Sequence, residues 1–393
     1  MIIRGEETSI ATRIGDSVFD FRAAADAELI DFDPDVLIDM ETLIEEVGAD
    51  AFRSLREQAY RLLVETNPML RDDTKMQKRV MLQASDCEPV LPMHIGGFVD
   101  FYSGINHASN VGKMFRPDMA PLLPNYRWLP VGYNGRGSSV VVSGEAITRP
   151  NGQTKNPNEE EPIFGPSNEL DFELELGFIT IRENDMGEPI RIADAEEYML
   201  GLVLVNDWSA RDVQRWEYQP LGPFLAKSFA TSISPWIVTL DALEPFRVEG
   251  ERQEPPALNH LRQPGPGHFD ITLEVSIQTE RMKKPQVVCR TNARNLYWSF
   301  AQQLAHQASN GTPVEYGDLY ASGTISGTEQ GSFGSMLELV WRGQHPIIME
   351  ETGETRAFLE DGDTVTMSGY CQADGFRVGL GEVTGTIDSA PDY

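Results

Sequence analysis

Residues 168–178 read NELDFELELGF, and acidic and apolar side chains alternate strictly from Asp171 to Leu176. Successive side chains of a β-strand point to opposite faces, so the pattern predicts a strand with one apolar face and one acidic face. Asp171, Glu173 and Glu175 would then repeat every ~6.5 to 7 Å along the acidic face. Like charges in such a row repel one another unless solvent or a cation compensates them.

Two interpretations of the acidic row are open on this stretch alone. One is a solvated sheet edge, where charged side chains prevent aggregation. Such edges usually mix Lys with Glu, however, and neither Lys nor Arg occurs between Lys155 and Arg182. The other is a divalent cation, because Asp and Glu oxygens are the ligands that calcium and magnesium take. A metal would need further ligands from elsewhere in the chain.

The whole chain has the size and composition of a globular enzyme. Its 393 residues are enough for two domains, since single cores stop growing near ~250–300 residues. A hydrophobic content of 40% argues against disorder, and no apolar run approaches the ~20 residues that span a bilayer. The N-terminal residues show no secretory signal pattern. We therefore expect a soluble protein.

Cysteine usage and charge narrow the compartment and the partners. Cys87, Cys289 and Cys371 are odd in number and widely spaced, which suits a reducing cytoplasm better than a disulfide framework. The formal charge of -29, from 61 acids against 32 bases, repels nucleic acid and anionic membranes, so we expect neither as a partner.

Hydrophobic patterns predict a fold that is mainly β with some α, in two domains. We expect a small N-terminal domain with a helical connection over residues 1–95, including a strand at SVFDF (17–21) and a helix after Asp50. Residues 96–393 are expected to form one β-rich domain. Its further strands are predicted at GSSVVVS (137–143), DITLEVSIQT (270–279), MLELVW (336–341) and DTVTMSGY (363–370). A helix is predicted within 295–311, with Leu296, Phe300 and Leu304 on one face.

The stretch NDWSARDVQRWEYQPLGPFLAKSF (206–229) carries polar residues at helical spacing. Asp207, Arg211, Gln214 and Tyr218 are four, three and four residues apart, which predicts one face of a helix. A solvent-facing helix would also be polar, so this alternative stays open. The run before Lys227 resembles a phosphate loop but lacks its second glycine, and we exclude nucleotide binding.

Two more stretches offer candidate chemistry. DFYSGINHASNVGKMFR (100–116) places Asp100, Tyr102, His107 and Arg116 close together, although a lone histidine is more often structural than catalytic. YASGTISGTEQGSFGSMLELVW (320–341) is a Gly/Ser-rich loop leading into a predicted strand, in which Glu338 interrupts an apolar run. That acid is either surface-facing or held for a chemical purpose.

These motifs together resemble the fumarylacetoacetases in content and order over roughly residues 67–385. The matching runs are DFYS (100–103), LPVGY (129–133), DFELELGF (171–178), PLGPFLAKSF (220–229), ASGTISG (321–327) and GSMLELVW (334–341). The resemblance implies a small N-terminal β-barrel-like domain, a mixed β-roll C-terminal domain and a homodimer. It also implies hydrolysis of the carbon–carbon bond of fumarylacetoacetate to fumarate and acetoacetate, the last step of tyrosine and phenylalanine catabolism.

The resemblance also implies roles for individual residues. The metal ligands would be Asp100, Glu173, Glu175 and Asp207, with Asp171 as an acid behind them, and a further Mg²⁺ would lie near Lys227 and Thr231. Four carboxylates favour Ca²⁺, with Mg²⁺ and Mn²⁺ as alternatives. His107 would be the general base and Glu338 its partner. The oxyanion would be stabilised by Arg211, Gln214 and Lys227, and the substrate would be contacted by Tyr102, Arg116, Tyr133, Tyr218 and Thr324.

The chain departs from the family pattern at a few positions. Asn134 stands where the family commonly has His, and Gly104, Ile105 and Asn106 replace more polar residues before His107. Two other functions are compatible with parts of the pattern: hydrolysis of a different 2,4-diketo acid, and calcium binding without catalysis. A binding protein has no need of a base and oxyanion donors beside its metal, so their joint presence favours an enzyme.

Overall fold

The structure is a computed structural model that describes residues 1–4 and 7–393, and it divides into two compact units. One comprises Met1–His94 together with Pro235–Ile237, and the other comprises Ile95–Ser234 and Val238–Tyr393. The chain is rich in short strands with fewer helices, which confirms the predicted fold class. No helix within the described residues is both long and apolar enough to cross a membrane.

The smaller unit contains two three-stranded antiparallel sheets, in the orders β2-β1-β6 and β3-β4-β5. Its strands are β1 (Ile2–Arg4), β2 (Glu7–Ser9), β3 (Ala11–Ile14), β4 (Ser17–Asp20), β5 (Met81–Gln83) and β6 (Glu88–Pro89). Its helices are α1 (Phe21–Asp26), α2 (Met40–Glu46), α3 (Ala51–Leu63), α4 (Pro68–Arg71) and α5 (Thr74–Val80). The helix predicted after Asp50 is confirmed as α3, which buries Phe52, Leu55, Ala59 and Leu62.

The larger unit is built on an eight-stranded mixed sheet and a five-stranded sheet. The first has the order β8-β7-β23-β14-β15-β17-β9, with β18 also paired to β15, and the second has the order β10-β27-β26-β21-β22. Strands of the eight-stranded sheet are β7 (Phe98–Phe101), β8 (Gly132–Asn134), β9 (Val140–Val142), β14 (Leu174–Thr180), β15 (Met199–Asn206), β17 (Thr231–Ile233), β18 (Val238–Thr239) and β23 (Leu319–Ala321). Strands of the five-stranded sheet are β10 (Ile147–Thr148), β21 (Thr272–Gln278), β22 (Gln286–Asn292), β26 (Thr364–Ala373) and β27 (Phe376–Asp388).

Shorter elements complete the larger unit. Four two-stranded pairs are formed by β11 (Asn151–Thr154) with β12 (Ile163–Pro166), β13 (Leu170–Asp171) with β16 (Ser209–Ala210), β19 (Arg247–Val248) with β20 (His268–Phe269), and β24 (Ile347–Ile348) with β25 (Thr355–Arg356). The helices are α6 (Ile105–Phe115), α7 (Arg211–Glu217), α8 (Leu240–Leu243), α9 (Phe300–Gln307) and α10 (Met336–Leu339).

One hydrophobic core joins the two large sheets. Leu174, Leu176 and Phe178 of β14 lie in the same buried cluster as Leu273 of β21 and Met367 of β26. β14 is buried along its whole length, because its apolar side chains face this core and its other face is also covered. The acidic residues of the same stretch are therefore covered by protein as well, although they lie on the face opposite to the apolar core.

The acidic stretch differs from its prediction in one respect, because it is not one continuous strand. Asp171 ends β13 and Leu174 begins β14, so Phe172 and Glu173 interrupt the ladder. The backbone N–H of Glu173 donates to the side-chain oxygen of Asn206 on β15 at 3.0 Å, and not to a backbone oxygen of that strand. A polar side chain thus replaces the ladder hydrogen bond and leaves this short piece outside the regular pairing.

Two other element predictions were wrong in type or bounds. MLELVW was predicted as a strand, but Met336–Leu339 is a helical turn capped by Ser335, whose Oγ accepts from the N–H of Glu338. A short apolar run buried on all sides has no periodicity that separates helix from strand. The predicted helix at 295–311 spans Phe300–Gln307 because Ser299 and Gln302 form a capping box, so Leu296 precedes it.

We predict that the shared core is sensitive to the loss of a single side chain. Met367 is fully buried, whereas Met186 is 84% exposed. Met367→Ala is expected to lower the free energy of unfolding by about 2–5 kcal/mol, because it leaves a cavity between the sheets. The matched control Met186→Ala should change it by less than about 0.5 kcal/mol. Urea denaturation measures both, and equal effects would contradict this description of the core.

Candidate active site

Four carboxylates from separate segments converge in the eight-stranded sheet. Asp100 lies on β7, Glu175 lies on β14, and Glu173 and Asp207 lie next to the ends of β14 and β15. All four are buried, and one oxygen of each lies within 4.8 Å of the others. The solvated-edge interpretation of the acidic row is therefore wrong. The acidic face that the alternating sequence predicted is therefore made of residues in the protein interior, and not on its surface.

Two cationic side chains compensate part of this charge. Lys227 Nζ lies 3.0 Å from Glu173 Oε2 and 2.9 Å from Asp207 Oδ2. Arg211 Nη2 lies 2.5 Å from Glu173 Oε1, and its Nε donates to Asp171 Oδ2 at 2.7 Å. Burial alone would raise the pKa of Glu173, but the charges of Arg211 and Lys227 outweigh it and lower the pKa. Glu173 is thus held ionised.

Asp100 and Glu175 lack comparable partners. Asp100 Oδ1 and Glu175 Oε1 are buried and have no hydrogen-bond partner. Desolvation first, and repulsion from the neighbouring carboxylates second, raise the pKa of each of these side chains well above its usual value. Two orphaned carboxylate oxygens beside two further acids are what a hard cation binds. The residues present therefore fit a divalent metal ion, held by Asp100, Glu173, Glu175 and Asp207.

Asp207 is the centre of a hydrogen-bond network that also contains two other predicted residues. Thr231 Oγ1 donates to Asp207 Oδ1 at 2.7 Å, and the Tyr133 hydroxyl donates to Asp207 Oδ2 at 2.7 Å. Lys227 Nζ additionally donates to the backbone oxygen of Asp207 at 2.9 Å. Burial first, then the charge of Asp207, raises the pKa of Tyr133 well above its usual value, so its hydroxyl remains a donor.

The predicted four-three-four helix face is only partly correct. Asp207 follows β15 and lies outside the helix, which begins at Arg211 and ends at Glu217. β16 lies between them, where Ser209 and Ala210 pair with Asp171 and Leu170. Of the predicted stripe, Arg211 and Gln214 do meet, since Arg211 Nη1 donates to Gln214 Oε1 at 3.1 Å. The four-residue spacing between Asp207 and Arg211 is that of a helix, but the chain between these two residues contains the extended strand β16.

His107 and Glu338 form a second buried pair. His107 Nδ1 and Glu338 Oε2 lie 2.6 Å apart, although the residues are 231 positions apart in the chain. Only 2% of His107 and 1% of Glu338 are exposed, so neither position is a solvated surface. Of the two readings of Glu338 left open by the sequence, the surface-facing one is wrong.

Several donors surround the Glu338 carboxylate. Asn110 Nδ2 donates to Oε1 at 2.8 Å, and the hydroxyls of Ser326 and Ser335 donate to Oε2 at 2.8 Å each. Burial alone would raise the pKa of Glu338, but the charge of His107 and the hydrogen bonds from His107, Asn110 and Ser326 lower it. Glu338 is therefore an ionised acceptor for the histidine ring.

A close backbone contact connects the histidine helix to the acidic cluster. Gly104 caps the N-terminus of α6, and a Cβ there would lie 2.2 Å from the backbone oxygen of Thr324. The Thr324 hydroxyl donates to Glu173 Oε2 at 2.9 Å. The glycine that departs from the family pattern thus lets the helix of His107 approach the loop that contacts a predicted ligand.

The remaining predicted substrate residues differ in their surroundings. The ring of Tyr102 packs edge-on against His107, with centroids 5.4 Å apart. Arg116 Nη2 donates to the backbone oxygen of Pro121 at 3.0 Å, and the Tyr218 hydroxyl accepts from Gln219 at 3.1 Å. The described hydrogen bonds of Arg116 and Tyr218 do not reach the acidic cluster.

A cavity lies behind the sheet and not at the cluster. It has a volume of about 310 Å³ and is lined by Val99 and Phe101, among others, with Asn134 at its wall. Val99 and Phe101 flank Asp100 on β7, so their side chains point to the opposite face of the strand. The position where the family commonly has His therefore faces this cavity.

Sequence reasoning missed several residues of the site. Asn110, Ser326 and Ser335 all contact Glu338, and Ser209 Oγ donates to Glu173 Oε1 at 3.0 Å. Asn110 is three positions after His107 on a predictable helix, so helical spacing could have found it. Ser335 precedes Glu338 by three residues, so the S-x-x-E pattern of a helix cap could have found it. Ser209 and Ser326 had no comparable signal, because they are 36 and 12 positions from the acids that they contact.

The chain matches two family models that together cover nearly its whole length. Residues 98–388 match the family described as Fumarylacetoacetate (FAA) hydrolase C-terminal, and residues 2–92 match Fumarylacetoacetase N-terminal. A fumarylacetoacetase of Arabidopsis thaliana is 45% identical over 388 residues, covering 97% of this chain and 91% of that relative. One of Rattus norvegicus is 48% identical over 341 residues, covering 87% and 81%.

Solved structures share the fold at low sequence identity. A fumarylacetoacetate hydrolase from Exiguobacterium antarcticum aligns with a TM-score of 0.53 at 16% identity, covering 99% of this chain and 98% of that one. A maleylpyruvate hydrolase from Sphingobium gives a TM-score of 0.50 at 14% identity, covering 99% of each. These likenesses support the architecture alone.

We predict that Glu175 contributes to divalent metal binding. Calcium should raise the melting temperature of the wild-type protein, because a ligand of the folded state stabilises it. Glu175→Gln keeps the shape but removes a charged oxygen, so calcium affinity should fall by about tenfold or more. Titration calorimetry and metal content after gel filtration measure this effect.

Glu382→Gln is the matched control, because Glu382 is an exposed glutamate on β27. It should retain the affinity and the metal content of the wild type. Undiminished metal content in Glu175→Gln would exclude Glu175 as a ligand.

Proposed function

This chain belongs to the fumarylacetoacetase family, and from that premise we propose that it hydrolyses the carbon–carbon bond of fumarylacetoacetate to fumarate and acetoacetate. The observation that carries the proposal is the combination of a buried His107–Glu338 pair with a four-carboxylate cluster and two buried cations. Breaking a bond between two carbonyl groups requires a base, an oxyanion site and a means of stabilising the departing enolate. The residues supply each of these.

A divalent ion bound by Asp100, Glu173, Glu175 and Asp207 would act as a Lewis acid that stabilises an enolate oxygen. Four carboxylates favour Ca²⁺ over Mg²⁺, because calcium accepts more protein oxygens while magnesium keeps more of its water. Mn²⁺ is an alternative with similar ligands. The proposal includes Ca²⁺ at this cluster and a further Mg²⁺ near Lys227 and Thr231.

His107 is the general base in this proposal. Because the Glu338 carboxylate can only accept, the proton of the shared hydrogen bond belongs to Nδ1 of His107, and in the neutral imidazole Nε2 then carries the free lone pair. That nitrogen can take a proton from water, and Glu338 stabilises the imidazolium that forms. The donors from Asn110 and the two serines keep Glu338 in place while the charge on His107 changes.

Arg211, Gln214 and Lys227 stabilise the oxyanion formed when water adds to the carbonyl. Burial would lower the pKa of Lys227, but Asp207 and Glu173 outweigh it and raise the pKa above its usual value. Lys227 is therefore an ammonium, which donates hydrogen bonds and has no lone pair for a metal. Of the two side chains, only the Thr231 hydroxyl has a lone pair for a second ion, so Lys227 could ligate that ion only through its backbone oxygen. Gln214 orients the Arg211 guanidinium through their hydrogen bond.

Substrate contacts are assigned to residues around these groups. Tyr133 and Thr324 already donate to Asp207 and Glu173, so they border the place where a substrate would meet the metal. Tyr102 covers the His107 ring. The described hydrogen bonds of Arg116 and Tyr218 do not reach the acidic cluster. We assign Arg116 to the substrate carboxylates and Tyr218 to the rim of the substrate pocket.

The proposal includes a homodimer in a reducing cytoplasm, acting in tyrosine and phenylalanine catabolism. Leu221, Phe224 and Leu225 are 96%, 64% and 52% exposed, and adjacent exposed apolar side chains often mark an interface. We assign this segment after α7 to contact with a second copy. Among the described residues, Cys87, Cys289 and Cys371 form no disulfide, which fits a reducing compartment.

We predict hydrolysis of fumarylacetoacetate by the purified protein, with loss of activity after exhaustive chelation and recovery on adding Ca²⁺ or Mg²⁺. Loss of absorbance of the conjugated substrate measures the rate. Simple acylpyruvates should be poorer substrates by kcat/KM. A preference for an acylpyruvate would assign the site to another diketo acid, and calcium binding with no hydrolysis of any of them would indicate a binding protein.

We predict that His107 and Glu338 act as one catalytic unit. His107→Ala and Glu338→Gln should each remove most of kcat while metal content stays normal, and the double variant should be little slower than His107→Ala. Steady-state kinetics of the four proteins measures this double-mutant cycle. Losses that simply multiply, or a His107→Ala protein with wild-type rate, would show that the attacking water is activated elsewhere.

A further inference from the structure

Asp171 lies outside the four-carboxylate cluster and yet touches both halves of the site. Its Oδ2 accepts from Arg211 Nε at 2.7 Å and from the backbone N–H of Leu337 at 3.0 Å. Its Oδ1 accepts from the backbone N–H of Met336 at 2.7 Å. Met336 and Leu337 begin α10, whose next residue is Glu338. The carboxylate therefore joins the oxyanion donor to the helical turn that carries the partner of the base.

We infer that Asp171 is a positioning residue that fixes Arg211 and Glu338 relative to each other, so that the oxyanion site and the His107 base act on the same substrate carbonyl. Arg211 and Glu338 share no direct hydrogen bond among the described contacts. The bonds of Asp171 supply a connection two hydrogen bonds long between them. Asp171 itself is fully buried, and its described hydrogen bonds reach Arg211, Met336 and Leu337 but not His107 or the four-carboxylate cluster.

The chemistry of the position requires a carboxylate and not merely a polar group. Three N–H donors point at its two oxygens, from Met336, Leu337 and Arg211. An asparagine has the same shape but only one acceptor oxygen, and its amide N–H₂ would face at least one of these donors. Asp171→Asn therefore disrupts either the bond from Met336 or the two bonds from Arg211 and Leu337, while nearly conserving volume.

The interruption of the acidic strand has a role in this arrangement. Asp171 is the last residue of β13, and the chain leaves the ladder at Phe172 and Glu173 before β14 begins. Glu173 forms an isolated antiparallel β-bridge with Ser335, the N-cap residue of α10. The strand break thus places Asp171 beside the start of α10 while Glu173 and Glu175 continue into the metal cluster.

Asp212 provides a matched control, because it is the neighbour of Arg211 and is also buried. It accepts from Ser167 Oγ at 2.6 Å, from Asn168 N at 2.8 Å and from its own neighbour Val213 N at 3.0 Å. It thus has the same number of donors as Asp171. Its hydrogen bonds hold a different segment, without contact to Arg211 or α10.

The first experiment compares Asp171→Asn with Asp212→Asn by steady-state kinetics and metal analysis. Asp171→Asn should lower kcat by ~10²-fold, the scale of losing one aligned oxyanion donor, with KM and metal content close to wild type. The further fall in kcat that Asp171→Asn causes should be smaller in an Arg211→Met background and in a Glu338→Gln background, and it should be nearly absent when both changes are present. The loss from Asp212→Asn, whatever its size, should be the same in every background.

The second experiment observes the hydrogen bond between His107 and Glu338 without any substrate. A proton in so short a bond gives a far-downfield proton NMR resonance, which the His107→Ala protein should lack. Asp171→Asn should shift or abolish that resonance, and Asp212→Asn should leave it in place. The kinetic readout rests on the proposed function, whereas this one stands whatever diketo acid is cleaved.

The inference can be tested even if Asp171→Asn does not fold. If Asp171→Asn fails to fold because the buried Arg211 loses one of its two carboxylate partners, the pair Asp171→Asn with Arg211→Met removes both charges and is compared with Arg211→Met alone. The resonance should then be lost only in the paired variant. An unshifted resonance together with losses that multiply in every background would reduce Asp171 to local packing and overturn the inference.

Discussion

The burial of five carboxylates in and beside the eight-stranded sheet is the constraint on which the rest of the larger unit depends. Asp100, Asp171, Glu173, Glu175 and Asp207 are all nearly inaccessible, and two buried cations, Arg211 and Lys227, lie among them. If every acid were ionised, three negative charges would be uncompensated. Burying unpaired charge is costly, so such a set persists only if protons or a cation neutralise the remainder.

The two cations divide the acids into two groups with opposite behaviour. Glu173 has both Arg211 and Lys227 beside it, and its pKa is lowered, whereas the pKa values of Asp100 and Glu175 are raised by burial and by neighbouring acids. The place for an additional cation is therefore on the side of Asp100 and Glu175, where two oxygens have no partner. The fixed ammonium and guanidinium remain on the other side, where donors for a substrate oxygen are needed.

The histidine pair depends on the same sheet although it is built on helices. The loop after β23 contacts α6 at Gly104 and Glu173 through Thr324, so the helix of His107 and the acidic cluster share one loop. Glu338 is held by three side-chain donors besides His107, and its helical turn begins at Met336, whose N–H donates to Asp171. The buried pair and the acidic cluster are thus each connected to other residues of the candidate site.

The sequence by itself determined the fold class and the family, and it predicted many of the residues that the structure brings together, because strand alternation, helical spacing and long ordered motifs are local properties. It determined α3 well, since Phe52, Leu55 and Leu62 have the period of a half-buried helix. Tertiary structure alone decided that the acidic row is interior, that MLELVW is a helical turn and that Asp207 precedes its helix. Periodicity cannot reveal burial on both faces. The contacts of Asp171 with Met336 and of Glu338 with His107 cross 165 and 231 positions, so no spacing could encode them.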